Sequence, residues 1–250
     1  MQDAELQRYS RQIMLPELDI DGQDKLLNSH VALIGMGGLG SPASMYLAAA
    51  GVGKLSLCDF DQVDLSNLQR QILHTTEDIG HAKTESAQQH LQALNPQCEI
   101  QQINHEMKLN ELQQLAQEVD VVLDCSDNFT TRFTVNQACR TRNTPLVSAA
   151  AIRWEGQISV FNNHPDSPCY RCLYPAEGEE DQNCVSNGVI APLVGIIGSM
   201  QALECIKLIT GIGKILEGRL LTLDALNMSW REFQFHKDPD CKACSTTPSR

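Results

Sequence analysis

Cys169-Tyr-Arg-Cys172 and Cys241-Lys-Ala-Cys244 repeat one spacing at two distant points of the chain. Each pair sets two thiolates within reach of one tetrahedral metal, and two such pairs complete a four-cysteine zinc site. Zinc there would clip the C-terminal region back onto a loop far upstream. The rival chemistry is a redox dithiol, which needs one pair only and favours a pair that opens a helix. Neither pair opens an obvious helix, so structural zinc on Cys169, Cys172, Cys241 and Cys244 is the expectation. Such a site holds a fold and does no chemistry. The chemistry must lie elsewhere. Gly35-Met-Gly37-Gly38-Leu-Gly40 follows a short apolar run and precedes a helical pattern. Glycines in that setting let backbone amides approach a phosphate at a helix N-terminus. Asp59 stands about twenty residues on, where a carboxylate suits a ribose hydroxyl.

Those residues alone fit a nicotinamide dehydrogenase, and the glycine fingerprint is weak on its own. The segment after Asp59 shifts the balance. Asp59-Phe-Asp-Gln-Val-Asp-Leu-Ser66-Asn67-Leu68-Gln69-Arg70-Gln71 is dense in polar side chains where a dehydrogenase would start its next helix. Arg70 and Lys83 offer the positive charge that a triphosphate needs and a hydride carrier does not. Asp127, just past an apolar strand, belongs at the C-terminal edge of a sheet and is the natural oxygen ligand for Mg2+. Gly51-Val-Gly53-Lys54 is a decoy. A P-loop requires glycine five residues before Gly53 and Ser or Thr after Lys54, and the chain has Ala48 and Leu55.

The elements that must position these groups follow an α/β rhythm. Helical patterns cover residues 3–14, 41–50, 83–94, 109–117 and 129–142, and strands cover 30–34, 54–59, 99–103, 119–124 and 145–148. That alternation implies a Rossmann-like, mainly parallel sheet with helices on both faces. After residue 150 the strands at 156–161, 218–223 and 229–235 lack intervening helices, so the sheet continues antiparallel. The apolar stretch 189–209 contains a helix from about Gly198. Residues 175–183 are acidic and low in apolar content. With no repeat and no linker, the whole of 1–250 reads as a single domain, its nucleotide-binding part about 1–150 and its antiparallel extension, zinc site and crossover loop about 151–250.

Acidic residues outnumber basic ones 31 to 19, for a formal charge of −12. This disfavours a nucleic-acid or anionic-membrane surface, since both call for clustered Lys and Arg. No apolar run follows a basic N-terminus and no stretch of 18 apolar residues occurs, which points to a protein neither exported nor membrane-spanning. The ten cysteines then belong to a reducing, cytoplasmic compartment. Cys58, Cys98, Cys125, Cys139 and Cys205 sit in apolar or periodic stretches as small core residues.

Taken together, the glycine turn, Asp59-x-Asp61, Ser66-Asn-Leu-Gln-Arg70, Lys83, Asp127-Asn128, the paired Cys-x-x-Cys and a cysteine between them resemble the bacterial activating enzymes for ubiquitin-like sulfur carriers. The likeness runs from Arg8-Tyr-Ser-Arg11-Gln to Cys244. It implies an adenylyltransferase that uses ATP and Mg2+ to adenylate the C-terminal glycine of a carrier ending in Gly-Gly, releasing pyrophosphate. It further implies nucleotide contacts from Gly38, Asp59, Ser66, Asn67, Leu68, Gln69, Arg70, Lys83, Asp127 and Asn128. Arg11 matches a position that reaches into the partner subunit's site, so a homodimer is implied. Cys184 matches a position associated with a covalent link to the carrier, although Glu179, Glu180 and Asp181 would raise its pKa. Two branches are close. Ala151-Ile-Arg-Trp-Glu-Gly-Gln157 and Ala191-Pro-Leu-Val-Gly-Ile-Ile-Gly198 look like the molybdopterin-synthase branch, whereas Thr75-Thr-Glu-Asp78 looks like the thiamine branch. The first is favoured, and adenylation in that branch is not expected to need Cys184.

Overall fold

Short, mostly apolar runs bounded by glycine or polar residues bury both faces of a strand, and they form the centre of the molecule. The computed structural model describes residues 1–174 and 188–245. Strands β1 (His30–Ile34), β2 (Lys54–Cys58), β3 (Glu99–Ile103), β4 (Val121–Asp124) and β5 (Leu146–Ile152) run parallel. Strands β6 (Glu155–Phe161), β7 (Arg219–Asp224) and β8 (Ser229–Gln234) continue the sheet antiparallel. The order is β3-β2-β1-β4-β5-β6-β7-β8, so the chain leaves β1 in one direction for β2 and returns to its other side with β4. That reversal opens a crevice at the C-terminal edge of the sheet, beside the end of β1.

Alternation along the strands sorts side chains into two layers. Val31, Leu33, Leu55, Leu57, Val121 and Leu123 pack on one face with α4 (Gly40–Ala50), α5 (Lys83–Leu94) and α9 (Ala191–Thr210). Ala32, Ile34, Cys58 and Val122 face α6 (Leu109–Glu118), α7 (Phe129–Arg142) and the short α8 (Tyr170–Leu173). Helices therefore cover both faces, as the sequence rhythm implies. The five cysteines assigned to the core are all buried, and burial pushes each of their thiols up, which makes them inert.

Three expectations need correction. The pattern over residues 3–14 is not one helix but two, α1 (Asp3–Arg8) and α2 (Ser10–Ile13), broken at Tyr9. Tyr9 is buried, and its hydroxyl accepts a 2.9 Å hydrogen bond from Asn95, while Leu6 and Met14 stay exposed. One buried anchor, not an apolar face, holds this segment. A further helix, α3 (Asp19–Leu27), follows it. Second, α9 begins at Ala191 and not near Gly198, because Pro192 is accommodated in its first turn. Gly198 serves packing instead: a Cβ there would lie 2.4 Å from the Leu39 carbonyl oxygen, so α9 presses directly on the glycine turn. By length and composition α9 resembles a membrane span, but half of that window is buried against the rest of the fold. Third, Cys169 does open a helix, since α8 is its single turn.

Candidate functional site

The glycine turn is fixed by two steric requirements. Gly35 has φ +99, and a Cβ on Gly40 would fall 2.0 Å from the Gly35 carbonyl oxygen. The turn thus folds back on itself as α4 begins at Gly40 with no side-chain cap, and the Ser41 and Ala43 amides are taken up by the Gly37 and Leu39 carbonyls. Above it lies a cleft of about 1120 Å³. Gly37 and Gly38 form one wall, and Asp59, Gln69, Arg70, Lys83, Asp127 and Asn128 reach it from four other segments. The cleft continues past Gln157 and Tyr174 to Asp224 and Arg231 on the antiparallel strands.

Each anchor has a local cause. Asp59 Oδ2 accepts the Met36 amide at 2.7 Å and Oδ1 the Asp61 amide at 2.9 Å. Burial pushes its carboxyl above the usual range, and the Lys83 charge and those two amides pull it back. Lys83 opens α5 with its side chain buried, and its Nζ lies 2.8 Å from Asp61 Oδ2. Arg70 donates to Asn67 Oδ1 at 2.8 Å and to the Ser66 carbonyl at 3.3 Å. Ser66 and Asn67 lie on a single 3-10 turn capped by Asp64, and neither they nor Leu68 line the cleft. Ser66 and Asn67 connect to the cleft through their hydrogen bonds from Arg70. Asn128 caps α7 by accepting the Thr131 amide at 2.8 Å. Asp127 beside it is exposed, which leaves its carboxylate oxygens available to a hard cation.

Other cleft residues take no role from sequence spacing alone. Asp61 gains one only through its pairing with Lys83, which requires β2 and α5 to be brought together. Gln71, beside the glycine turn, has a buried Oε1 with no hydrogen-bond partner among the described residues. Arg132 on α7 is buried below the Asp127 segment, where Nη2 donates to the Ser126 carbonyl at 2.6 Å. Burial works against the Arg132 charge, and the Asp124 carboxylate together with Tyr170 and Tyr174 more than restores it. Arg11 is exposed on α2 and does not line this cleft. Cys184 lies outside the described residues.

The four cysteines do converge. Sγ separations are 3.9 Å for Cys169–Cys172, 3.7 Å for Cys169–Cys241 and 3.4 Å for Cys172–Cys244. All four Sγ atoms lie within 4.8 Å of one another. Tetrahedral zinc with its usual bond lengths would space them about 3.8 Å apart. Backbone amides of Cys169 and Asp238 donate to Cys172 Sγ at 3.5 and 3.4 Å. The Cys169 thiol and then those amides hold Cys172 below the usual thiol range. A four-sulfur cluster with thiolate-stabilising amides fits zinc and leaves no reason for a two-cysteine redox motif.

A model of the ThiF family matches residues 9–243. The chain is 48% identical over 244 residues to the molybdopterin-synthase adenylyltransferase of Escherichia coli, covering 98% of each. It is 46% identical over 244 residues to the sulfur carrier protein ThiS adenylyltransferase of the same organism, covering 98% of this chain and 97% of that one. Among solved structures, E. coli MccB with MccA-N7isoASN superposes with a TM-score of 0.85 over 96% of this chain and 75% of that chain. At 23% identity that likeness is one of fold. Matched over nearly its whole length, the chain belongs to the ThiF family.

Proposed function

We propose that this protein adenylates the C-terminal glycine of a ubiquitin-like sulfur carrier ending in Gly-Gly, the small subunit of molybdopterin synthase. A carboxylate oxygen of the carrier attacks the α-phosphorus of ATP, forming the acyl-phosphate bond. The α–β phosphoanhydride breaks and pyrophosphate leaves with its electron pair. A carboxylate approaching a triphosphate meets strong repulsion, so catalysis rests on positioning and on cations. The carrying observation is that Arg70 and Lys83 share one cleft with the glycine turn, and that the cleft continues towards Asp224 and Arg231.

Asp59 holds the ribose, and the amides of the glycine turn receive phosphate. Arg70 and Lys83 neutralise charge, Lys83 leaving Asp61 as the more strongly charged triphosphate arrives. Gln69 flanks the phosphates. Asp127 would hold Mg2+, which when bound screens the triphosphate's charge. The four-cysteine cluster would hold zinc in a structural role. We read residues 1–250 as one adenylyltransferase domain that works as a homodimer in the cytoplasm, with no nucleic-acid or membrane partner.

The thiamine-pathway carrier is the second reading, favoured by Thr75-Thr-Glu-Asp78 and by 46% identity to an adenylyltransferase of that branch. ATP–pyrophosphate exchange measured with each purified carrier separates the two. Exchange at least tenfold faster with the molybdopterin-synthase carrier is expected. Faster exchange with the thiamine carrier would reverse the assignment, and none with either would remove the function.

A further inference from the structure

One buried side chain beside the glycine turn has no part in the chemistry above. His74 lies between Arg70 and Lys83 in sequence and is 5% exposed. Its Nε2 is 3.0 Å from the Met36 carbonyl oxygen, and its Nδ1 is 2.8 Å from Ser86 Oγ. A carbonyl only accepts, so Nε2 must carry a hydrogen whatever the state of Nδ1. Ser86 is itself buried and stands one turn beyond Lys83 on α5. A single imidazole therefore ties the helix that carries Lys83 to the turn that carries the glycines.

The Met36 carbonyl belongs to the same peptide unit as the Gly37 N–H. Because that unit is planar and trans, its carbonyl and N–H point in opposite directions. Holding the carbonyl inward on His74 turns the Gly37 N–H the other way, and Gly37 lines the cleft. Among the described residues that N–H donates to no protein group. Glycine imposes little barrier to flipping this peptide, and a flipped peptide would present a carbonyl to the phosphates. The Met36 amide, on the preceding peptide, is separately held by Asp59.

We propose that His74 is a positioning residue that locks the Met36–Gly37 peptide so that its N–H serves a nucleotide phosphate. The inference rests on the nucleotide reading of the cleft. It predicts a defect confined to phosphate recognition, because the hydrogen bonds of the His74 ring go to the Met36 carbonyl and Ser86 and not to Asp59. His74→Leu keeps bulk and removes the donor, whereas His74→Gln places an amide N–H at similar reach. Calorimetric binding of a non-hydrolysable ATP analogue and of adenosine to full-length protein supplies the readout. His74→Leu should weaken the ATP analogue about tenfold, as expected for one hydrogen bond to a charged group, with adenosine within about twofold. His74→Gln should recover most of the loss, and in pyrophosphate exchange KM for ATP should rise more than kcat falls. If His74→Leu does not fold, Ser86→Ala, which loosens the ring but keeps its donor, should still show an ATP-selective loss of about threefold. Wild-type ATP affinity in His74→Leu or Ser86→Ala, equal losses for ATP and adenosine, or a Gln variant as weak as Leu would overturn the proposal. A wild-type protein that binds no ATP analogue would instead sink the nucleotide reading itself.

Discussion

Arg70 and Asp127 show how much of the site depends on single groups held by short-range contacts. Arg70 is steadied by Asn67 and Ser66 within its own turn, so removing it disturbs little beyond that turn. Asp127 is exposed and its neighbour Asn128, not Asp127 itself, caps α7. Arg70→Ala and Asp127→Ala should therefore melt within a few degrees of wild type. Each should lose carrier-dependent pyrophosphate exchange by about a hundredfold or more, the scale for a charge contact made mainly in the transition state. Near wild-type exchange in either variant would remove that residue from the mechanism. The sequence places both at the cleft, because Arg70 follows the polar segment after Asp59 and Asp127 follows the end of an apolar strand. The pairings of Asp61 and His74 are not legible there, since each depends on a partner on α5, Lys83 or Ser86, that spacing cannot supply.

At the level of elements, the paired cysteines join two stretches with little other means of holding together. Cys169 sits at the start of a four-residue α8, and Cys241 and Cys244 follow the edge strand β8 in a segment without regular structure. Replacing Cys172 or Cys244 with Ala should release about one equivalent of zinc and lower the melting temperature, because structural zinc contributes directly to folding free energy. Full metal content by atomic emission in both variants would refute the site. The same level explains where sequence patterns succeed. The central parallel strands β1 and β4 are short, mostly apolar runs, and α5 and α7 stop at Asn95 and Asn143 shortly before Pro96 and Pro145. The start of α9 is hidden from such patterns because Gly195 and Gly198 look like breakers. Gly198 is there because the Leu39 carbonyl approaches too closely for a Cβ, a tertiary fact with no local signature. Likewise Tyr9 carries helical spacing and yet interrupts the helix to reach Asn95.

Across the whole molecule, Arg11 is the residue whose proposed role its own chain does not explain. It lies on α2, whose next residue, Gln12, donates to the Ala50 carbonyl at the C-terminal end of α4. The glycine turn is at the other end of that helix, about 16 Å away by the usual rise per residue. If Arg11 completes the partner subunit's cleft across a twofold axis, Arg11→Ala and Lys83→Ala should each be nearly inactive as homodimers. Mixed together, they form heterodimers in which one site has an intact Lys83 from its own chain and an intact Arg11 from the other. The second site lacks both. Activity per heterodimer should then return to about half of wild type, because the two sites of a twofold dimer are equivalent and each draws on both chains. Were Arg11 to act within its own chain, every site in the mixture would lack one residue and nothing would return. Differently tagged chains, co-purified through both tags, establish that subunits have exchanged before activity is read. No recovery in those verified heterodimers would exclude Arg11 from a shared site and, with it, the catalytic need for a dimer.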